Sequence, residues 1–248
     1  MALYLFILII LLTTPPSTST PTTVLTLYNM CDNDIWPAFQ GRPEDSVPRN
    51  GGFQLSAGHA VYIKMPPQWA GRIWARTGCI FDRKGNTTGN CLTGDCAGGS
   101  LECAGRGGQP PMTLAEFTFG VGPMDIYGIS IVDGFNIPMV IWPGGVAFEH
   151  PVKGNCSVPD CADVNKRCPE ELQIKGSQGE IVACRSACNA FHTDEYCCVG
   201  AYSSPGACKP TNYSRIFKDA CPDARSYAFD DASHTDCQRG VSYTVRFC

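Results

Sequence analysis

Charge is scarce in this chain, and what there is leans acidic. Only 17% of its 248 residues are Asp, Glu, Lys or Arg, with 19 basic against 23 acidic side chains and a formal net charge of −4. A surface with no basic excess cannot neutralise a polyanion, so nucleic acid is excluded as a partner. No basic amphipathic stretch is present to hold an anionic membrane surface either. Long apolar runs are missing too. The run from Ala2 to Leu12 has 11 residues, whereas a membrane-crossing helix needs about 20, so no transmembrane anchor is expected. Histidine is rare: His59, His150, His192 and His234 form no i, i+4 or His-x-His pair, and neither a metal nor a cofactor is expected. There is no internal repeat and no Ser/His/Asp nucleophile motif. The GRGG at 105–108 follows a cysteine rather than a strand, which makes it a loop and not a phosphate cradle.

Cysteine, in contrast, is abundant. Sixteen in one chain, an even number, point to an oxidising compartment and a disulfide framework. The amino terminus agrees: the apolar run is followed by the small, polar stretch TTPPSTSTPTT, so residues 1–22 read as a signal peptide with cleavage between Ser17 and Thr23. A secreted, extracellular protein formed by residues 23–248 is the expectation. Its 26 Gly and 19 Pro favour short strands and turns over long helices.

Strand-like runs occur at 24–30, 60–65, 71–77, 113–119, 129–132 and 241–248. In the last, Val241, Tyr243, Val245 and Phe247 alternate with Ser242, Thr244 and Arg246, so the first set is predicted to face a core. Between Cys156 and Cys221 cysteines crowd together and strand signals thin out, which predicts a separate loop-rich lobe. There, Ile181, Cys184, Cys188 and Phe191 fall at helical spacing, and TNYSRIFKDA at 211–220 predicts a second helical turn capped by Thr211 or Asn212. Three sequons stand at Asn86, Asn155 and Asn212. Asn86, in a turn-rich segment, is the first glycosylation candidate, and Asn155 ranks lower because Cys156 follows it.

The stretch NCLTGDCAGGSLEC at 90–103 resembles the signature of the thaumatin family, through Cys91, Thr93, Gly94, Asp95, Cys96, Gly99 and Cys103. Thr87 departs from it, standing where the family pattern begins with glycine. GRIWARTGC (71–79), PPMTLAEF (110–117), DGFNIPM (133–139), EYCC (195–198), CPDARSYAFDD (221–231) and YTVRFC (243–248) are similar to further family segments, in family order. The resemblance therefore spans the chain beyond the signal region. It implies a mainly β, flattened sandwich over about 23–76, 112–162 and 222–248, a hairpin region at about 77–111 and a cysteine-rich lobe at about 163–221. Sixteen cysteines can pair in roughly two million ways. The resemblance implies one of them: Cys31–Cys248, Cys79–Cys91, Cys96–Cys103, Cys156–Cys237, Cys161–Cys221, Cys168–Cys184, Cys188–Cys197 and Cys198–Cys208.

It also implies a function in extracellular defence. Antifungal members carry an acidic cleft between sandwich and lobe, lined by one Arg, one Glu and three Asp. Carried over, these are Arg72, Glu116, Asp133 and Asp231, with Gly128 where the family has its remaining Asp. Asp125, three residues upstream, differs in strand parity and should point the other way. Asp95 reads as a turn-capping residue. The cleft is expected to bind fungal β-1,3-glucan or a hyphal surface, with Tyr127, Phe135, Tyr213 and Phe217 as aromatic platforms. Two other roles follow from the family. One is a weak endo-β-1,3-glucanase with Glu116 as acid and Asp133 as its partner. The other is an inhibitor of microbial hydrolases such as xylanases, acting through the loop VGAYSSPGA at 199–207. A monomer is expected in each case.

Overall fold

The computed structural model describes residues 23–81, 90–96, 98–120, 122–144, 154–230 and 234–248. The predicted signal peptide, Thr87, Asn86 and Asp231 lie outside them. The first strands are β1 (Val24–Asn29), β2 (Ile35–Gly41), β3 (Ala60–Lys64), β4 (Ala70–Thr77), β5 (Leu114–Thr118), β6 (Met124–Ser130) and β7 (Met139–Pro143). The short strands β8 (Asp160–Cys161), β9 (Gln173–Lys175) and β10 (Ile181–Cys184) lead into the helices α1 (Ala187–Phe191), α2 (Asp194–Cys197) and α3 (Asn212–Ala220). The chain ends with β11 (Ala224–Arg225), β12 (Thr235–Gln238) and β13 (Tyr243–Phe247).

Alternation along the strands sets the architecture. In β1, Leu25 and Leu27 are buried while Val24, Thr26 and Tyr28 are partly open; in β13, Tyr243, Val245 and Phe247 are fully buried. Each such side chain contributes about 1.5–3 kcal/mol on burial, which fixes register, since a slip of one residue would turn the whole set to water. β1 and β13 run parallel at the centre of one sheet, ordered β3-β1-β13-β7-β8. The second sheet runs β11-β6-β5-β4-β2, with β12 also on β6. Between the two, Phe117, Phe119, Tyr127 and Tyr243 stack with ring centroids 5.0–5.5 Å apart in successive contacts.

Three elements differ from the sequence reading. β2 contains Pro37, a strand breaker, and is tolerated because β2 is the last strand of its sheet: its outer side meets only the irregular segment 52–55, where the Pro37 carbonyl accepts from the Phe53 amide. β6 begins at Met124, well before the ISIV run, because pairing with β5 and β12 carries it through Asp125 and Gly128, which interrupt its hydrophobic pattern. The helix expected from Ile181 to Phe191 is instead strand β10 followed by α1. Ile181 and Val182 are β-branched and lie in a strand paired with β9, and the backbone of Cys184 exchanges hydrogen bonds with Phe135 at 2.9 and 2.8 Å. That exchange ties the lobe to the sandwich. α1 starts only after Ser186, whose hydroxyl accepts from the Asn189 amide. The other predicted helical turn is α3, where Thr211 and Ser214 form a reciprocal capping box and Phe217 enters the core.

Eight disulfides join Cys31–Cys248, Cys79–Cys91, Cys96–Cys103, Cys156–Cys237, Cys161–Cys221, Cys168–Cys184, Cys188–Cys197 and Cys198–Cys208. The hairpin region, which holds Cys79–Cys91 and Cys96–Cys103, is also tied to β2 by one buried charge. Arg76 is 0% exposed, and its guanidinium donates to the carbonyls of Trp36 (3.1 Å), Ser100 (2.9 Å) and Leu101 (2.8 Å). Burial pulls this guanidinium down to about 10, with Asp95 nearby opposing the shift. Gly52 allows the close approach: a Cβ there would lie 2.6 Å from both the Arg76 Nη2 and the Leu101 oxygen.

Candidate functional site

Three adjacent strands place Arg72 on β4, Glu116 on β5 and Gly128 on β6 in one cross-strand row, through the register pairs Arg72 with Glu116 and Glu116 with Gly128. Directly paired residues share a face. It is the face turned away from the core, because Ile73, Phe117, Tyr127 and Ile129 alternate inward. Two residues on from Gly128, Ser130 pairs with Arg225 of β11, bringing a second arginine to this face.

The arginines and acids pair. The guanidinium of Arg225 donates from Nη2 to Oε2 of Glu116, both side chains being about three-quarters buried. Arg72 Nη1 lies 3.5 Å from Asp133 Oδ2, at the rim. Asp133 reaches that rim through the turn after β6, where Gly134 has φ +93°. A Cβ at 134 would stand 2.6 Å from Pro111 Cβ and 2.7 Å from the Cys184 carbonyl. One hollow of about 250 Å³ opens beside Arg72, Glu116, Ile126 and His234. Another of about 210 Å³ lies between Asp133 and the lobe, against Ser186 and Tyr213. The lobe is fastened beneath by Lys218, which donates to Asp230 at 3.0 Å and to the Ala224 carbonyl. Burial alone would raise the Asp230 carboxyl, but donors from Ser226 and Lys218 outweigh it and hold the group below its ordinary value.

The acidic cleft implied by the resemblance is not what the described residues make. Arg72 and Arg225 balance Glu116 and Asp133, and Gly128 puts no side chain in the register position beside Glu116 where the family has a carboxylate. Asp125 does not replace it. Its carboxylate is 1% exposed on the core side, where it accepts from the Gly120 amide at 2.8 Å, and burial raises its carboxyl above the ordinary range. Three of the four aromatic platforms are likewise corrected. Tyr127 is 1% exposed and its hydroxyl donates to the Ser157 carbonyl at 2.6 Å, while Phe135 is 0% exposed beneath the lobe junction. Phe217 is also core. Tyr213 alone of the four is partly open. Arg225 is the residue that reading the sequence missed. It sits within CPDARSYAFDD, and its only signal was a cation close to a cluster of acids.

Chemically, the site presents guanidinium and carboxylate groups at measured spacing on a rigid sheet, a set suited to hydrogen-bonding hydroxyls. Among the described residues no group of three His, Cys, Asp or Glu side chains is placed to hold a metal, and no helix is long and apolar enough to cross a membrane.

Residues 29–248 match the model of the thaumatin family. A protein of Arabidopsis thaliana named thaumatin-like protein is 45% identical over 250 residues, covering 99% of this chain and 96% of that one. Pathogenesis-related protein 5 of Arabidopsis thaliana is 46% identical, with 91% of this chain and 90% of its own covered. A Prunus avium protein named glucan endo-1,3-beta-glucosidase is 44% identical over 90% of this chain and 89% of its own. With the family model matched from residue 29 to the last residue and near-half identity over nine-tenths of the chain or more, this protein belongs to the thaumatin family.

Proposed function

We propose that this chain is a secreted, pathogenesis-related defence protein whose cleft binds neutral β-1,3-glucan of fungal walls without cleaving it. The observation that carries this reading is the Arg225–Glu116 pair opposite Gly128. Glycoside hydrolysis needs one carboxylic acid to hand a proton to the leaving oxygen and a second carboxylate as base or nucleophile. Here the nominated acid, Glu116, is engaged as an acceptor by a guanidinium, and its nominated partner, Asp133, is engaged by Arg72. A neutral sugar chain makes a smaller demand. Its hydroxyls donate to the carboxylate lone pairs left over and accept from the guanidinium N–H groups, with no net charge to be matched. Eight disulfides and the kinship with pathogenesis-related proteins support secretion.

Calorimetric titration with a soluble β-1,3-glucan hexasaccharide tests the binding. Replacing Arg72 with alanine removes a charged donor and frees Asp133, which is expected to weaken affinity about tenfold. Tyr62→Ala, an exposed position on β3 of the other sheet, is expected to bind as the parent does. Equal affinity for parent and Arg72→Ala, or no binding by either, would remove the cleft from the account.

A further inference from the structure

The lobe carries a second concavity that borders the hollow under Asp133, shares Tyr196 and Tyr213 with it, and extends away from the cleft past Glu171 and Tyr202. It has a volume of about 770 Å³, within the range of small-ligand sites, and is lined by Tyr196, Tyr202 and Tyr213 with Glu171, Glu195 and Lys209. The rings are organised in advance. Tyr196 and Tyr213 meet edge to face at 5.7 Å, and Phe191 completes a triangle with centroids 5.5 and 5.3 Å away. The Tyr213 hydroxyl donates to Glu171 Oε1 at 2.8 Å, which fixes that ring's tilt. Tyr196 lies on α2, whose next residues, Cys197 and Cys198, are bonded to Cys188 and Cys208, and Tyr213 lies in the first turn of the capped α3.

We infer that this groove is a second carbohydrate site, taking the pyranose rings of a neutral oligosaccharide. Partly exposed rings offer flat faces for the C–H side of a sugar, and Glu171, Glu195 and Lys209 at the margin supply acceptors and a donor for its hydroxyls. Charge decides the class. Two carboxylates against one ammonium disfavour an anionic ligand. An apolar protein surface would leave those three charges desolvated and unpaired. Because the rings are held by disulfides and a helix cap, little side-chain freedom is lost on binding. Tyr202 and Glu171 line this groove and not the hollow under Asp133, so they separate its occupancy from that of the cleft.

Asn212, which opens a sequon, also lines the groove, so the test uses folded full chain without N-glycans, made by bacterial expression and refolding. Hexasaccharides of β-1,3-glucan, β-1,4-glucan and β-1,4-xylan are titrated separately while NMR follows the ring resonances of Tyr202, which lines the groove alone, and of Tyr196 and Tyr213, which also line the hollow under Asp133. At least one sugar is expected to shift them saturably. Tyr202→Ala is expected to weaken that response about tenfold. Arg72→Ala is expected to leave it unchanged. Tyr213→Phe keeps the ring and its packing, so it serves should an alanine variant fail to fold; it is expected to weaken binding about threefold through loss of the fixed tilt. Shifts of Tyr196 and Tyr213 without Tyr202, or no shift with any of the three sugars, overturn the proposal. A cleft that fails to bind while the groove responds leaves it standing.

Discussion

Arg76→Ala is expected to lower unfolding stability by about 3–5 kcal/mol, a large part of the margin of a single domain. The side chain is wholly buried, and its guanidinium satisfies three carbonyls from two separate segments: Trp36 on β2, and Ser100 and Leu101 in the hairpin region. Truncation leaves those oxygens without donors at about 1–3 kcal/mol for each group left unsatisfied, opens a cavity where the side chain had been, and strands Asp95 near the vacated charge. Some of that loss is returned, because the charge no longer has to be desolvated. Lysine is not an adequate replacement. Its single ammonium cannot span carbonyls that the planar guanidinium reaches from Nε, Nη1 and Nη2, so Arg76→Lys is expected to recover less than half of the lost stability. Denaturant unfolding with the disulfides intact measures both. A loss below about 1 kcal/mol for Arg76→Ala would mean that the hairpin region is held by its disulfides alone.

Removing the Cys31–Cys248 bond with a double serine substitution is expected to cost about 5 kcal/mol, the largest effect of any single crosslink. The bond closes a loop spanning a sequence separation of 217, and it joins the ends of β1 and β13, the parallel pair at the centre of the first sheet. By the same loop-entropy relation Cys198–Cys208, with a separation of 10, contributes about 3 kcal/mol. The difference between the two double variants, about 2.7 kcal/mol in unfolding free energy from the ratio of loop lengths, is the quantity to measure. Equal losses would show that local strain and contacts, rather than loop length, set the contribution of each bond.

Much of the scaffold could be read from local pattern. The two-residue period of Tyr243, Val245 and Phe247 gave an inward face that the burial reproduces, and the Thr211 cap marked the start of α3. Errors arose where the decisive contact is distant. β2 carries Pro37, which only its edge position excuses. Residues 181–184 show helical spacing, yet they pair with β9 and with Phe135, which local spacing does not reveal. The parity rule that turns Asp125 inward also applies to Tyr127, two residues on, and it is the reason Tyr127 belongs to the core and not to the cleft. Arg225 was beyond reach for another reason. It joins the site through a two-residue parallel pairing of β11 with β6, which brings it beside Ser130 from 95 positions away, and no periodicity encodes that register. The missing acid at Gly128 could be seen in the sequence, while the cation that pairs with Glu116 could be seen only in the fold.

The central claim is that this cleft holds glucan and leaves it whole. The direct measurement is one incubation of the folded protein with insoluble β-1,3-glucan, scoring both the fraction of protein retained on the solid and the new reducing ends in the liquid. Retention with reducing ends no higher than in a protein-free control is the expected result. A steady rise in reducing ends that disappears in Glu116→Gln would contradict it, since Glu116 would then be giving up a proton despite its contact with Arg225.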